Sequence, residues 1–139
     1  MQVYLCGSIT TDPRCLEWRE RVCSHFVDSY DVEIVDPCRK KNSDEWTPDG
    51  FEAASTVYAD GAFLARDRRD IEKCDVLLLC WWGDPGRQSI GTWCEFGWAT
   101  AIGKPVVFVD LTEDGYNLRH PFVYRQVAAK FRSLEEACD

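Results

Sequence analysis

The chain predicts an α/β protein built from parallel βαβ units, with one sheet covered by helices on both faces. Three observations carry this. The runs VLLLC (residues 76–80) and PVVFV (105–109) are unbroken and apolar, the pattern of parallel strands buried on both sides. Segments between the strands, notably 16–27 and 60–74, repeat their apolar residues with a helical period instead. The total of 139 residues suits one core, so residues 1–139 are read as a single domain.

The elements follow in order. Residues 2–6 form a short apolar strand that runs into Gly7, Ser8 and Ile9. Asp12 and Pro13 make a helix start, N-cap then first helical position, and Leu16, Arg19/Glu20, Cys23 and Phe26/Val27 continue it with helical spacing. A second strand spans 32–35 and stops at Asp36-Pro37. Residues 38–60 are polar and turn-rich, with one helical turn around 51–54; a loop this long in a small domain is usually functional. A helix over 60–74 leads into the strand at 76–80, the loop WWGDPGRQ, a helix from Gly91 to Gly103 and the strand at 105–109. Asp114-Gly115 marks a turn, 119–127 reads as helical and 129–132 as a last strand. Ser133 with Glu136 forms a capping box that opens a short terminal helix. Ligands of such sheets sit beyond the carboxyl ends of the strands, so GSIT, the 36–60 loop and WWGDPGRQS border the expected site.

Composition limits the partner. Hydrophobic residues make up 45% and charged residues 29%, an ordinary globular balance. The net charge is −8, with no basic stripe, which argues against a nucleic-acid polymer and for a small-molecule substrate. No apolar run is long enough to span a bilayer, and MQVYLCGSI lacks the features of a secretory leader. The eight cysteines include no CxxC pair, and His25 and His120 adjoin none of them. They are read as reduced thiols in a cytoplasmic protein without a metal. Cys6, Cys74, Cys80 and Cys94 lie in apolar segments as small hydrophobes.

Three places bear chemistry. The first is Glu95, the sole acid between Asp84 and Asp110. Thr92-x-x-Glu95 reads as a capping box, which would explain the glutamate without function. The same first-turn position, at the positive end of the helix dipole, favours an ionised carboxylate that can act as a nucleophile. Gly91 and Gly97 leave room for a ring or sugar. The second is Asp67, which shares one helical face with Phe63, Leu64, Ile71 and Cys74. Burial there raises a carboxyl pKa; alternatively the aspartate caps a neighbouring helix or pairs with Arg66 or Arg69. One carboxylate kept charged and another kept protonated suit glycosidic bond cleavage. The third is GSITTDPR, a strand-to-helix turn that presents N–H groups and a hydroxyl to an anion, or simply a connecting turn. Trp81, Trp82, Trp93 and Trp98 cluster nearby in sequence, where rings stack a nucleobase.

Taken together, VYLCGSI, ARDRRDIEKCDVLLL and SIGTWCEFGWATAIGKPVV resemble the nucleoside 2-deoxyribosyltransferase superfamily, which includes the deoxynucleoside 5′-monophosphate N-hydrolases. The resemblance implies a flavodoxin-like sheet of five parallel strands, no cofactor and a nucleoside or nucleotide substrate. It implies that Glu95 forms a glycosyl–enzyme intermediate, that Asp67 assists protonation of the base and that Tyr4 orients Glu95. It implies that Gly7, Ser8, Ile9 and Ser89 contact a 5′-phosphate as in the hydrolases; with Gly91 they are read as lining the sugar or phosphate pocket, and Trp82 and Trp93 as holding the base. It also implies a homo-oligomer, with Asn117 supplied by a neighbouring subunit. Ser89 stands where transferases carry an aspartate and hydrolases a serine, whereas Thr10 replaces the hydrolases' arginine. Transfer to a second base is the first reading, transfer to water the alternative. A non-catalytic nucleotide-binding module is the rival of a different class.

Overall fold

Five strands form one sheet: β1 (Gln2–Cys6), β2 (Glu33–Val35), β3 (Val76–Trp81), β4 (Val106–Asp110) and β5 (Ala129–Phe131). Their order is β2-β1-β3-β4-β5, and every neighbouring pair is parallel. The computed structural model describes residues 1–9, 14–39, 62–82 and 89–139. The helices among them are α1 (Arg14–His25), α2 (Ala62–Lys73), α3 (Ile90–Ala101), α4 (Tyr116–Arg119), α5 (Pro121–Tyr124) and α6 (Leu134–Cys138). The expected helix start at Asp12-Pro13, most of the 38–60 loop and most of WWGDPGRQ lie outside the described residues.

Strand alternation divides the core into two layers. Tyr4, Cys6, Leu77, Leu79, Trp81, Val106 and Phe108 face Ile71 and Cys74 of the α2 side and Phe96 and Ala99 of α3. Val3, Leu5, Leu78, Cys80 and Val109 face Trp18 and Val22 of α1 and Leu134 of α6. Both layers follow from side chains pointing alternately to opposite faces. The strand order reverses direction between β1 and β3, which puts the ligand end of the sheet there.

Three expectations change in detail. The predicted helix at 119–127 is two short ones, because Pro121 lacks an N–H and begins α5 rather than continuing α4. Leu64 is exposed rather than buried on the inner stripe of α2. Cys94 is exposed, unlike the buried Cys6, Cys74 and Cys80. The terminal cap is as expected: the Ser133 hydroxyl accepts from the Glu136 N–H at 3.3 Å.

Gly7 is where the chain leaves β1, and its lack of a side chain has a steric cause. A Cβ there would lie 2.8 Å from the Cys80 carbonyl oxygen and 2.9 Å from Cζ2 of Trp18. Gly7→Ala is therefore expected to destabilise the fold by about 1–3 kcal/mol through overpacking. Urea unfolding measures this; an unchanged midpoint would show that the turn gives way freely.

Candidate active site

Glu95 is the first group to locate. It lies in the second turn of α3, because the helix begins at Ile90 and is capped by Ser89. The Ser89 hydroxyl accepts from the Thr92 N–H at 3.5 Å and lies 2.8 Å from the Thr92 hydroxyl. The expected Thr92–Glu95 capping box is thus replaced by a Ser89 cap, and Glu95 is freed from serving the helix end. It also sits beyond the turn in which the dipole acts most strongly.

Tyr4, rising from β1 on the same face, donates its hydroxyl to Glu95 Oε1 at 2.8 Å. Burial is the main influence on Glu95 and pushes its pKa up to about 7; hydrogen bonds from Cys6 and Tyr4 act against the rise, the Asp67 charge adds to it and Arg19 opposes it. Tyr4 itself is driven far up by burial and then by the charges of Glu95 and Asp67, so it remains a neutral donor. The helix dipole therefore does not keep Glu95 charged: desolvation dominates, and the carboxyl titrates near neutrality.

Asp67 is buried as the helical phase predicted, only 6% exposed. Among the alternatives for it, pairing with Arg66 is realised: Nε and Nη2 of Arg66 donate to Oδ1 at 3.0 and 2.8 Å. Arg66 Nη2 also donates to the Pro37 carbonyl at 2.9 Å, which ties the pair to the segment after β2. The glutamate is a buried carboxyl pushed toward neutrality, and a guanidinium lies against the aspartate. Asp67 acts electrostatically on both Tyr4 and Glu95, and its helix α2 packs through Ile71 on the sheet face that bears Tyr4.

A buried cation that the sequence did not flag supports this end of the sheet. Arg19 is 1% exposed. It donates to the Gly7 carbonyl at 3.1 Å, the Cys15 carbonyl at 3.0 Å and Asp36 Oδ1 at 3.2 Å, and lies 4.3 Å over the Trp18 ring. It joins the carboxyl ends of β1 and β2. Its position on the apolar stripe of α1, between Cys15 and Val22, was the available signal. Ser8 is buried and Ile9 half-buried beside it, while residues 10–13 of the expected anion turn lie outside the described residues.

The four tryptophans do not form one cluster. Trp81 packs on the Glu95 face, with Trp93 at 5.2 Å. Trp82 packs against the opposite layer, with the Arg14 guanidinium 4.8 Å from its ring, because consecutive residues leaving a strand point to opposite faces. Trp98 turns toward α2 beside Arg68 and Ile71. Trp93 and Asn117 share a cavity of about 590 Å³ with Trp81, Phe96, Gly97 and Tyr116. Tyr4, Asp67 and Glu95 are not among its lining residues. At 100° per residue Glu95 points roughly 160° away from Trp93 and Gly97, so the cavity lies around α3 from the carboxylate. A Cβ on Gly91 or Gly97 would meet nothing within 4 Å, which leaves open space along α3. Among the described residues no group of three His, Cys, Asp or Glu could hold a metal ion, and no helix is long and apolar enough to cross a membrane.

A family model described as nucleoside 2-deoxyribosyltransferase matches residues 3–129. No curated protein matches the sequence. Solved structures share the fold at low identity. A 2-deoxyribosyltransferase from Bacillus psychrosaccharolyticus superposes with a TM-score of 0.70 at 16% identity, covering 100% of this chain and 91% of its own. The Clostridium botulinum CMP N-glycosidase BcmB gives 0.59 at 18%, covering 99% and 95%. A conserved protein from Enterococcus faecalis gives 0.62 at 17%, covering 99% and 93%.

Proposed function

The chain belongs to the nucleoside 2-deoxyribosyltransferase family, and on that premise we propose that it cleaves the N-glycosidic bond of 2′-deoxyribonucleosides or their 5′-monophosphates. Glu95 is the nucleophile, Asp67 the acid/base and Tyr4 the group that orients Glu95. The observation that carries this reading is the 2.8 Å contact between the Tyr4 hydroxyl and Glu95 Oε1, with Asp67 acting on both.

The ionised Glu95 carboxylate attacks C1′, and the bond from C1′ to the base nitrogen breaks as the ester forms. The leaving base takes a proton by way of Asp67, directly or through water. A second base then attacks C1′, loses its proton along the same route and releases Glu95. The 2.8 Å hydrogen bond fixes one carboxylate oxygen and leaves the other for the sugar. In this reading Gly7, Ser8, Ile9, Ser89 and Gly91 border the sugar end; Trp93 lines the cavity around α3 from Glu95 and Trp82 packs on the opposite layer, so neither stacks the base beside the Glu95 of its own chain. Asn117 lies around α3 from Glu95 of its own chain, so its contribution would serve a neighbouring copy in a homo-oligomer.

Water as the acceptor is the second reading. Ser89, the Gly7-Ser8-Ile9 segment and the likeness to the CMP N-glycosidase favour it. Incubation with deoxynucleosides and their monophosphates, with and without a second base, separates the two. Exchange of bases supports transfer; free base with free sugar, indifferent to the second base, supports hydrolysis. A ligand bound but left intact would favour the binding-module reading and overturn both.

Tyr4→Phe removes a donor that holds the Glu95 pKa down. Turnover at pH 7 is expected to fall roughly tenfold, with the acid limb of the pH profile displaced upward. A profile identical to wild type would remove Tyr4 from the mechanism.

A further inference from the structure

We propose that Arg66 is a positioning residue for Asp67, and that the turn after β2 holds it in place. The inference rests on the reading of Asp67 as the acid/base. Neighbours in sequence point about 100° apart around a helix and do not face each other. Helix geometry alone therefore does not produce an ion pair between residues 66 and 67 of α2, and a contact from outside must bend the arginine over its neighbour. The Pro37 carbonyl supplies it. Arg66 Nη2 carries two hydrogens; it donates to that carbonyl at 2.9 Å and to Asp67 Oδ1 at 2.8 Å. Nε meets the same Oδ1 at 3.0 Å. Three contacts on one rigid fork fix the plane of the guanidinium and the seat of the oxygen it holds.

The turn is itself braced. The Cys38 N–H belongs to the same planar peptide unit as the Pro37 carbonyl, and it donates to Asp36 Oδ1 at 2.8 Å. That oxygen also accepts from Nε of the buried Arg19 at 3.2 Å, so the peptide facing Arg66 is oriented from its other edge. Arg39 ties the turn to α2 a second time: Nη1 donates to the Asp36 carbonyl at 2.8 Å, and Nη2 pairs with Asp70. Residues 67 and 70 share a helix face, so the turn grips α2 at two successive acids. Hydrogen bonds thus run from Arg19, beneath the Gly7 turn, through Asp36 and the Pro37–Cys38 peptide to Arg66 and Asp67. A proton-transferring group works only within hydrogen-bond reach of the atom it serves, and small displacements are costly.

The Arg66 side chain is 34% exposed, so replacing it empties no part of the core. Steady-state kinetics compare wild type, Arg66→Met and Arg66→Lys on substrates whose leaving bases differ in acidity, each also in the Asp67→Asn background. Both single variants are expected to lower kcat about 10- to 100-fold, part of what a general acid supplies, with KM within about twofold. The loss should be greatest for the least acidic bases. Lysine shares it because it keeps the charge without the fork. With Asp67→Asn already present, either change should cost less than about twofold, because nothing remains to be positioned. Full recovery of kcat in Arg66→Lys would make charge, and not placement, the contribution and overturn the proposal. An unchanged kcat in Arg66→Met, or an equal loss with and without Asp67, would overturn it too. If wild type turns over no nucleoside or nucleotide, the functional reading fails separately. The nitrogen-15 signal of the Arg66 Nε–H, assigned by its absence in Arg66→Met, then decides. A side chain immobile in wild type and loosened in Asp36→Ala, or in Asp36→Ser should the alanine variant not fold, upholds the tether. One already mobile in wild type, or unaffected by the loss of Asp36, refutes it.

Discussion

Glu95→Gln is expected to abolish turnover, lowering kcat/KM by at least about 10³-fold, while making the fold more stable above neutral pH. Both effects have one origin. Glutamine keeps an oxygen for the Tyr4 hydroxyl, so the local geometry persists, but it cannot form the glycosyl ester. It also carries no charge to desolvate. Because burial raises the Glu95 pKa from 4.5 to about 7, the native state binds more protons than the unfolded chain between those values. The associated stability is fully present below pH 4.5 and is lost as pH rises through about 7. The variant escapes that loss. At pH 8 it should exceed wild type by about 1–3 kcal/mol, visible as several degrees in Tm, with the difference shrinking toward pH 5. Assays and thermal melts at both pH values check the pair of expectations. A variant less stable than wild type at pH 8 would mean that burial of the carboxylate is offset by contacts the amide cannot make.

Asp67→Asn should lower kcat by about 10²- to 10⁴-fold, the range for removing a general acid or base. The loss should depend on the leaving group: bases whose ring nitrogen is more acidic need less help to depart and should suffer less. Asparagine retains an oxygen for Arg66, so the 2.8 Å contact to Oδ1 has a replacement, and KM should change little. Steady-state kinetics on a series of substituted bases provides the measurement. A uniform loss across the series, together with a lower Tm, would make Asp67 a structural partner of Arg66 and remove it from proton transfer.

The strands were legible because 76–80 and 105–109 can be buried on both faces only in a parallel sheet. Asp67 was legible because helical phase is arithmetic, and it did point inward. The cap of α3 was not. Ser89 and Thr92 are both good capping residues, and the glutamate three beyond Thr92 favoured the wrong one. The helix begins at Ile90, one residue before the expected Gly91, and Ser89 caps it, so Thr92 lies inside the first turn and Glu95 in the second, which changes the reason for the ionisation of Glu95. Arg19 escaped notice because a cation reads as a wet residue by type. Its burial becomes tolerable only where the Gly7 and Cys15 carbonyls and Asp36 converge. Trp82 parts from Trp81, Trp93 and Trp98 because strand alternation sends Trp81 and Trp82 to opposite layers.

The most direct measurement is mass spectrometry of the protein mixed with a deoxynucleoside and quenched in acid before turnover is complete. A mass increase equal to one deoxyribosyl group, or its 5′-phosphate form, should map to the peptide holding Glu95 and be absent from Glu95→Gln. Product formation without any such adduct on wild type, or an adduct that persists on another residue in the variant, would contradict the account.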